Sequence, residues 1–150
     1  MSNSKLRIKK ILIATVISAV FIGIAVWFLF AQKFEDTKRE KSVYTINALD
    51  LIKEFQQNDS IANKKYAEKI MTVIGIVTEV ESADITVNIK MGDTTNGSYV
   101  IFAFQQQNVN DSKTIKEGDK VSIKGSCSGG AYSKILETEF ITFKRCALNK

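Results

Sequence analysis

The side chains that could do chemistry in this sequence are few. Ser126, Cys127, Ser128, Gly129 and Gly130 place two hydroxyls and a thiol beside paired glycines, the makings of a nucleophile or a phosphate-cradling loop. Neither finds its partners. Histidine is absent, which removes the usual base near neutral pH and with it the Ser/His/Asp and Cys/His systems. No P-loop or GxSxG pattern surrounds the run, so a flexible strand-to-strand turn is expected there. Glu79, Glu81 and Asp84 could hold a hard cation, but they lack the alternating spacing and central glycine of a calcium loop, and a solvated turn is the better account. Cys127 and Cys146, the two cysteines, are too few for a zinc site of four thiolates. The sequence is therefore read as non-enzymatic, with no catalytic residue, metal or cofactor.

A further group points to binding. Tyr99, Phe102 and Phe104 lie on one predicted strand, with Lys90 and Lys124 on predicted neighbours, and single-stranded nucleic acid needs such aromatic platforms and cations. Phe102 and Phe104, however, have the parity of an inward face. The formal charge of +5 is also misleading, because residues 1–41 carry eight Lys/Arg against three acids while residues 42–150 carry thirteen of each sign. A neutral domain exerts no general attraction on phosphates. On this basis nucleic acid ranks below a protein, a peptide or a cell-envelope component as the partner.

The elements that would position these residues can be read from periodicity. Ile46, Leu49, Ile52 and Phe55 recur at helical spacing in TINALDLIKEFQQND, with Thr45 or Asn47 as the cap. A second short helix, SIANKKYAEK, has Ser60 as its cap and Ile61, Ala62 and Tyr66 within reach of one face. The pattern then shifts to period two. KIMTVIGIVTEVES reads as one long strand with a bend at Gly75, and ITVNIKM, SYVIFAF, KVSIKGSC and ETEFITFKRCAL follow as four more. The polar stretch between the third and fourth strands holds a helical turn around Ser112–Lys116. Two short helices and then five strands with this spacing fit a mostly β domain, a five-stranded OB-fold barrel, although periodicity alone equally supports another five-stranded roll.

Asn58 and Asp59, then Ala62 to Tyr66, then Lys69 opening a strand that runs to Gly75, resemble the start of the bacterial tRNA-anticodon-binding-like OB-fold family. The run from Gly118 to Gly129 (GDKVSIKGSCSG), followed by Cys146, resembles its later part, and the likeness spans residues 46–148. The resemblance implies an OB barrel of an exported or membrane-attached kind. It brings no catalytic residue and no ligand.

Ahead of this domain, residues 11–31 run without a charged residue. As a helix at ~1.5 Å per residue they span roughly 30 Å, the thickness of a bilayer core. Bulky Trp27, Phe28 and Phe30 fill the end where a cleaved signal peptide would carry small residues, so an uncleaved anchor is expected. Lys5, Arg7, Lys9 and Lys10 precede it without an acid, and Lys33, Lys38, Arg39 and Lys41 follow it among acids. The dense leading cluster favours the N-terminus inside.

The expected organisation is a cytoplasmic basic tail at 1–10, a transmembrane helix at 11–31, a spacer at 32–43 and the OB-like domain at 44–150. That places a single-pass protein in a bacterial cytoplasmic membrane, with the lipid bilayer as a partner and the domain outside. Its expected function is that of a membrane-anchored, non-catalytic binding module of the cell envelope. A single-stranded nucleic-acid binder and an accessory subunit of a membrane assembly are the alternatives. An even pair of cysteines in an oxidising compartment is more often bonded than free, and the family-like placement of Cys127 and Cys146 favours a disulfide. A tight hairpin between the last two strands would oppose it, by carrying the pair beyond the ~7 Å reach of the bond.

Overall fold

Asn47 accepts a hydrogen bond from the Leu49 N–H and so starts a helix that buries Ala48, Leu51, Ile52 and Phe55. It does so directly after a four-residue strand, because Tyr44 to Asn47 pair in parallel with residues 71–74. A computed structural model of the chain describes residues 2–31, 36–83, 85–104 and 106–149, and in the first of these segments only the side chains of residues 13 and 15–28. In chain order the elements are α1 (Ser2–Ala31), β1 (Tyr44–Asn47), α2 (Ala48–Gln57), α3 (Asp59–Tyr66), β2 (Ile70–Ile76) and β3 (Glu79–Ser82). Then come β4 (Val87–Gly92), β5 (Tyr99–Phe104), a 3-10 turn at Gln106–Asn108, α4 (Val109–Ser112), β6 (Lys120–Ser133) and β7 (Thr138–Leu148). The chain divides into two units, Met1–Glu35 and Asp36–Lys150.

The expected five-stranded barrel is not what forms. The strands make one seven-stranded sheet in the order β1-β2-β6-β7-β5-β4-β3, with no ladder joining its two end strands. Two segments account for the difference. Tyr44–Asn47, expected to lead a helix, is a strand. The long strand expected over residues 69–82 divides after Ile76, where the Val77 N–H turns to the Asp119 carbonyl and the Thr78 N–H to the Lys90 carbonyl. The bend thus falls beyond Gly75. That glycine instead lets the strand pass Ala48 and Met91, either of which a Cβ there would meet within 3 Å.

The core of this unit lies between the inner sheet face and α2–α3. Phe102 and Phe143 are in ring contact at 5.1 Å, and Val73, Ile89, Ile123 and Ile141 surround them without exposure to solvent. Phe102 and Phe104 are both buried there. Asn58, rather than Ser60, caps α3, accepting from the Ile61 N–H at 2.9 Å. Ile61 is 64% exposed and takes no part in the buried face that Ala62 and Tyr66 form.

The anchor expectation is overturned: among the described residues no helix is long and apolar enough to cross a membrane. The single-pass topology, the cytoplasmic-membrane location and the bilayer as a partner lose their basis with it. The side chains of Lys5, Arg7, Lys9, Lys10, Phe30 and Lys33 lie outside the described residues. Residues 36–43 are no bare spacer. Thr37 is buried, Asn108 donates to Asp36, Lys38 pairs with Asp111, and Lys124 donates to the carbonyls of Lys38 and Glu40.

The expected disulfide is absent as well: Cys127 and Cys146 are free and buried. The hairpin from β6 to β7 turns tightly after Ser133, and Cys127 stands opposite Phe143 in register, three residues short of Cys146. Bulges bring the two thiols near enough to influence each other. Burial pushes the Cys127 thiol up to about 11, and burial followed by the neighbouring Cys127 raises Cys146 well above the usual thiol value.

Candidate nucleic-acid interface

Alternation along β4, β5 and β7 sends Ile89, Met91, Val100, Phe102, Ile141 and Phe143 inward, so the intervening residues form the outer face. Two rows cross it, Lys90–Ile101–Thr142 and Gly92–Tyr99–Phe140, fixed by the antiparallel β4–β5 and parallel β5–β7 registers. Tyr99 and Phe140 lie stacked, with ring centroids 6.5 Å apart and planes 26° from parallel. The Lys90 ammonium stands 5.4 Å from the centre of the Tyr99 ring. Gly92 adds no side chain beside Tyr99, and a shallow depression of about 340 Å³ adjoins the ring, lined in part by Thr78, Glu79, Lys90 and Gly92. Half-buried aromatic faces at the outer surface of a sheet can stack on planar ligands, and a neighbouring cation adds to that.

The face carries little net charge. Lys90 is bound by Glu79 at 3.1 Å and Glu81 at 2.6 Å. Its bond to Glu81, with Glu79 adding to it and desolvation opposing it, holds the Lys90 ammonium above its ordinary value, and Lys90 in turn depresses Glu81. Glu79 and Glu81 therefore form ion pairs across the β3–β4 ladder rather than a solvated turn, and Asp84 lies outside the described residues. No group of three or more His, Cys, Asp or Glu able to hold a metal occurs among the described residues.

Of the predicted aromatic and basic set, only Lys90 and Tyr99 come together on this face. Phe102 and Phe104 are core, and Lys124 binds backbone carbonyls of residues 38 and 40. Phe140 went unnoticed in the sequence. Its signal was present in ETEFITFKR, where it is out of phase with Ile141 and Phe143.

The SCSGG run is neither a nucleophile loop nor a turn. It lies inside β6, and the reversal comes later, at 134–137. Asn63 of α3 hydrogen-bonds both polar groups of Gly130, donating to its carbonyl at 2.8 Å and accepting from its N–H at 2.9 Å. Gly130 also passes so close to Phe55 that a Cβ would meet its ring at 2.7 Å. Gly129, at φ +103°, shapes the bulge beside it.

A sheet of this topology with a half-buried aromatic pair on its outer face fits a binding module of the OB-fold type. The chain belongs to the tRNA_anti-like family, whose model matches residues 1–138. Among solved structures it is similar to a lipoprotein from Klebsiella pneumoniae subsp. pneumoniae, named for inferred nucleic acid binding. That match has 18% identity and a TM-score of 0.55, over 79% of this chain and 100% of the other. It is also similar to an inferred aspartyl-tRNA synthetase from Leishmania major Friedlin, at 8% identity and a TM-score of 0.45, over 79% of this chain and 22% of that one. No curated protein matches the chain. The low rank given to nucleic acid does not hold, because a neutral charge balance does not by itself remove the class, and the Klebsiella protein that shares the fold is itself named for it.

Proposed function

We propose that the chain binds single-stranded nucleic acid on the outer face of β4, β5 and β7, with bases stacking on Tyr99 and Phe140. The observation that carries this reading is the stacked Tyr99–Phe140 pair with Lys90 at its edge. The corresponding strands of OB folds are a common site for oligonucleotides. The name of the Klebsiella lipoprotein supports the same class. Because Lys90 is already paired with two carboxylates, affinity rests on stacking more than on phosphate contacts.

The test is fluorescence anisotropy of short labelled RNA and DNA single strands titrated with the full chain. Tyr99→Ala and Phe140→Ala should each weaken binding by about 1–3 kcal/mol, roughly 5- to 150-fold. Absence of binding at high micromolar protein and low salt, or an affinity unchanged from the native chain in both variants, refutes the reading.

A second reading, capture of a protein or peptide, is favoured by the β6–β7 hairpin, whose Ile135 and Leu136 are 94% and 65% exposed. Competition by an unlabelled single strand separates the two, since a ligand held at the hairpin is not displaced from the sheet face.

A further inference from the structure

Glu139 is an acid on the wrong side of its strand. Along β7 it falls in phase with Ile141 and Phe143, both fully buried, and it is itself only 2% exposed. Its Oε1 has no hydrogen-bond partner among the described residues. A buried carboxylate oxygen left unpaired is costly, so such a group in a native fold calls for an explanation.

The surroundings supply one. Glu139 lines a cleft of about 540 Å³ between the α2–α3 junction and the β6–β7 hairpin. Across the sheet its register partner is Tyr132, 52% exposed. From the helices Phe55, Gln56, Gln57, Asn58, Asp59 and Ser60 complete the wall, and no Lys or Arg lines it. Asp59 acts on Glu139 as a like charge. Two carboxylates, two aromatic rings and no cation form a site with negative charge that nothing in its wall offsets.

We propose that this cleft binds a primary alkylammonium group, with Glu139 Oε1 accepting from its N–H donors, Asp59 adding charge and Tyr132 covering it. The chemistry selects this class over its competitors. A calcium site usually draws on several carboxylates, whereas this wall carries two and its other oxygens are neutral amide and hydroxyl groups. An ammonium has three donors, bears a single charge and gains from an aromatic face. The site is independent of the nucleic-acid reading, because Glu139 and Phe140 are successive residues and face opposite sides of the sheet.

The experiment is an amide NMR titration of the full chain with n-butylammonium chloride, against sodium chloride at equal ionic strength. Tetramethylammonium, which has no N–H, and calcium chloride serve as further probes. Saturable shifts at residues 56–60, 132 and 139 are expected with butylammonium. Asp59→Asn should weaken the response and Glu139→Gln should do so by at least about tenfold, or 1.4 kcal/mol. Asp59 is exposed, so its variant keeps the test decisive if Glu139→Gln perturbs folding. Absence of saturable shifts, equal saturation by tetramethylammonium or by calcium, or an affinity unchanged in Asp59→Asn overturns the proposal.

Discussion

Glu139 sets a pH dependence whose direction can be worked out. Burial, then the charge of Asp59, raises its carboxyl above the ordinary 4.5. The folded state therefore holds this proton more tightly than the unfolded chain does. Where only the folded state is protonated, stability falls with rising pH. The stabilising effect is complete below the unfolded value and is lost as pH rises through the folded one. Glu139→Gln removes the ionisation, so its melting temperature should exceed that of the native chain at pH 7, and the gap should close as pH falls toward 4. A constant gap, read by calorimetry across that range, would contradict the assignment. The cysteines give a second residue-scale test. With both thiols buried and raised, neither should react with iodoacetamide in the native state at pH 8, and both should react after denaturation. The sequence left the first cap between Thr45 and Asn47, of which Asn47 serves, and did not show the one at Asn58. Asn58, Asp59 and Ser60 are three consecutive residues able to cap, and only the sharp turn between α2 and α3 selects the first. Glu139 was legible in principle, as a charge in phase with two buried apolar residues.

The buried faces of α2 and α3 hold the helices on the sheet, and at β6 a specific set of contacts adds to them. Asn63 gives Gly130 the two hydrogen bonds that a neighbouring strand would, and Gly130 leaves the space that Phe55 fills. Gly130→Ala should therefore destabilise the fold by roughly 1–3 kcal/mol through overpacking. Asn63→Ala should cost about 1–3 kcal/mol by leaving partly buried backbone groups unpaired. Urea denaturation measures both, and a loss under about 0.5 kcal/mol in each, the usual range for a surface site, would mean that the helices are held elsewhere. The glycine pair was read as a turn because paired glycines usually mark one. What the sequence does not display is a helix lying on the strand, since that contact joins residues far apart in the chain. Most strand positions followed from alternation alone. The break at Val77 did not, because its cause is a hydrogen bond to Asp119 from a distant loop.

At the scale of the molecule, the sheet unit begins at Asp36 and includes a stretch that composition marked as a spacer. A chain starting at residue 36 should melt cooperatively. One starting at residue 44 should melt lower, by roughly 4–8 °C for each kcal/mol lost. It lacks the contacts of Asp36, Lys38 and Glu40 with Asn108, Asp111 and Lys124, and the Ser42–Thr72 hydroxyl pair. Equal melting temperatures would show that these contacts contribute little. Charged and polar composition reads as solvated, yet here the carbonyls of residues 38 and 40 serve as acceptors for Lys124, a role that no hydropathy pattern records. The strand content was readable, whereas the sheet order depends on pairings between distant segments and on the added strand β1.

An open sheet has ends, and β3 is one of them. Among the described residues no further strand pairs with it, so its backbone can receive an extended chain, and its side chains decide whether such a chain can dock. Glu79 and Glu81 flank Val80 on this edge, and Lys90 holds both. A second copy approaching edge to edge would bring acid against acid. Replacing Glu79 and Glu81 together by valine would leave a short, uncharged β-branched edge with Val80 between them, and self-association rising with protein concentration is the expected result in sedimentation velocity.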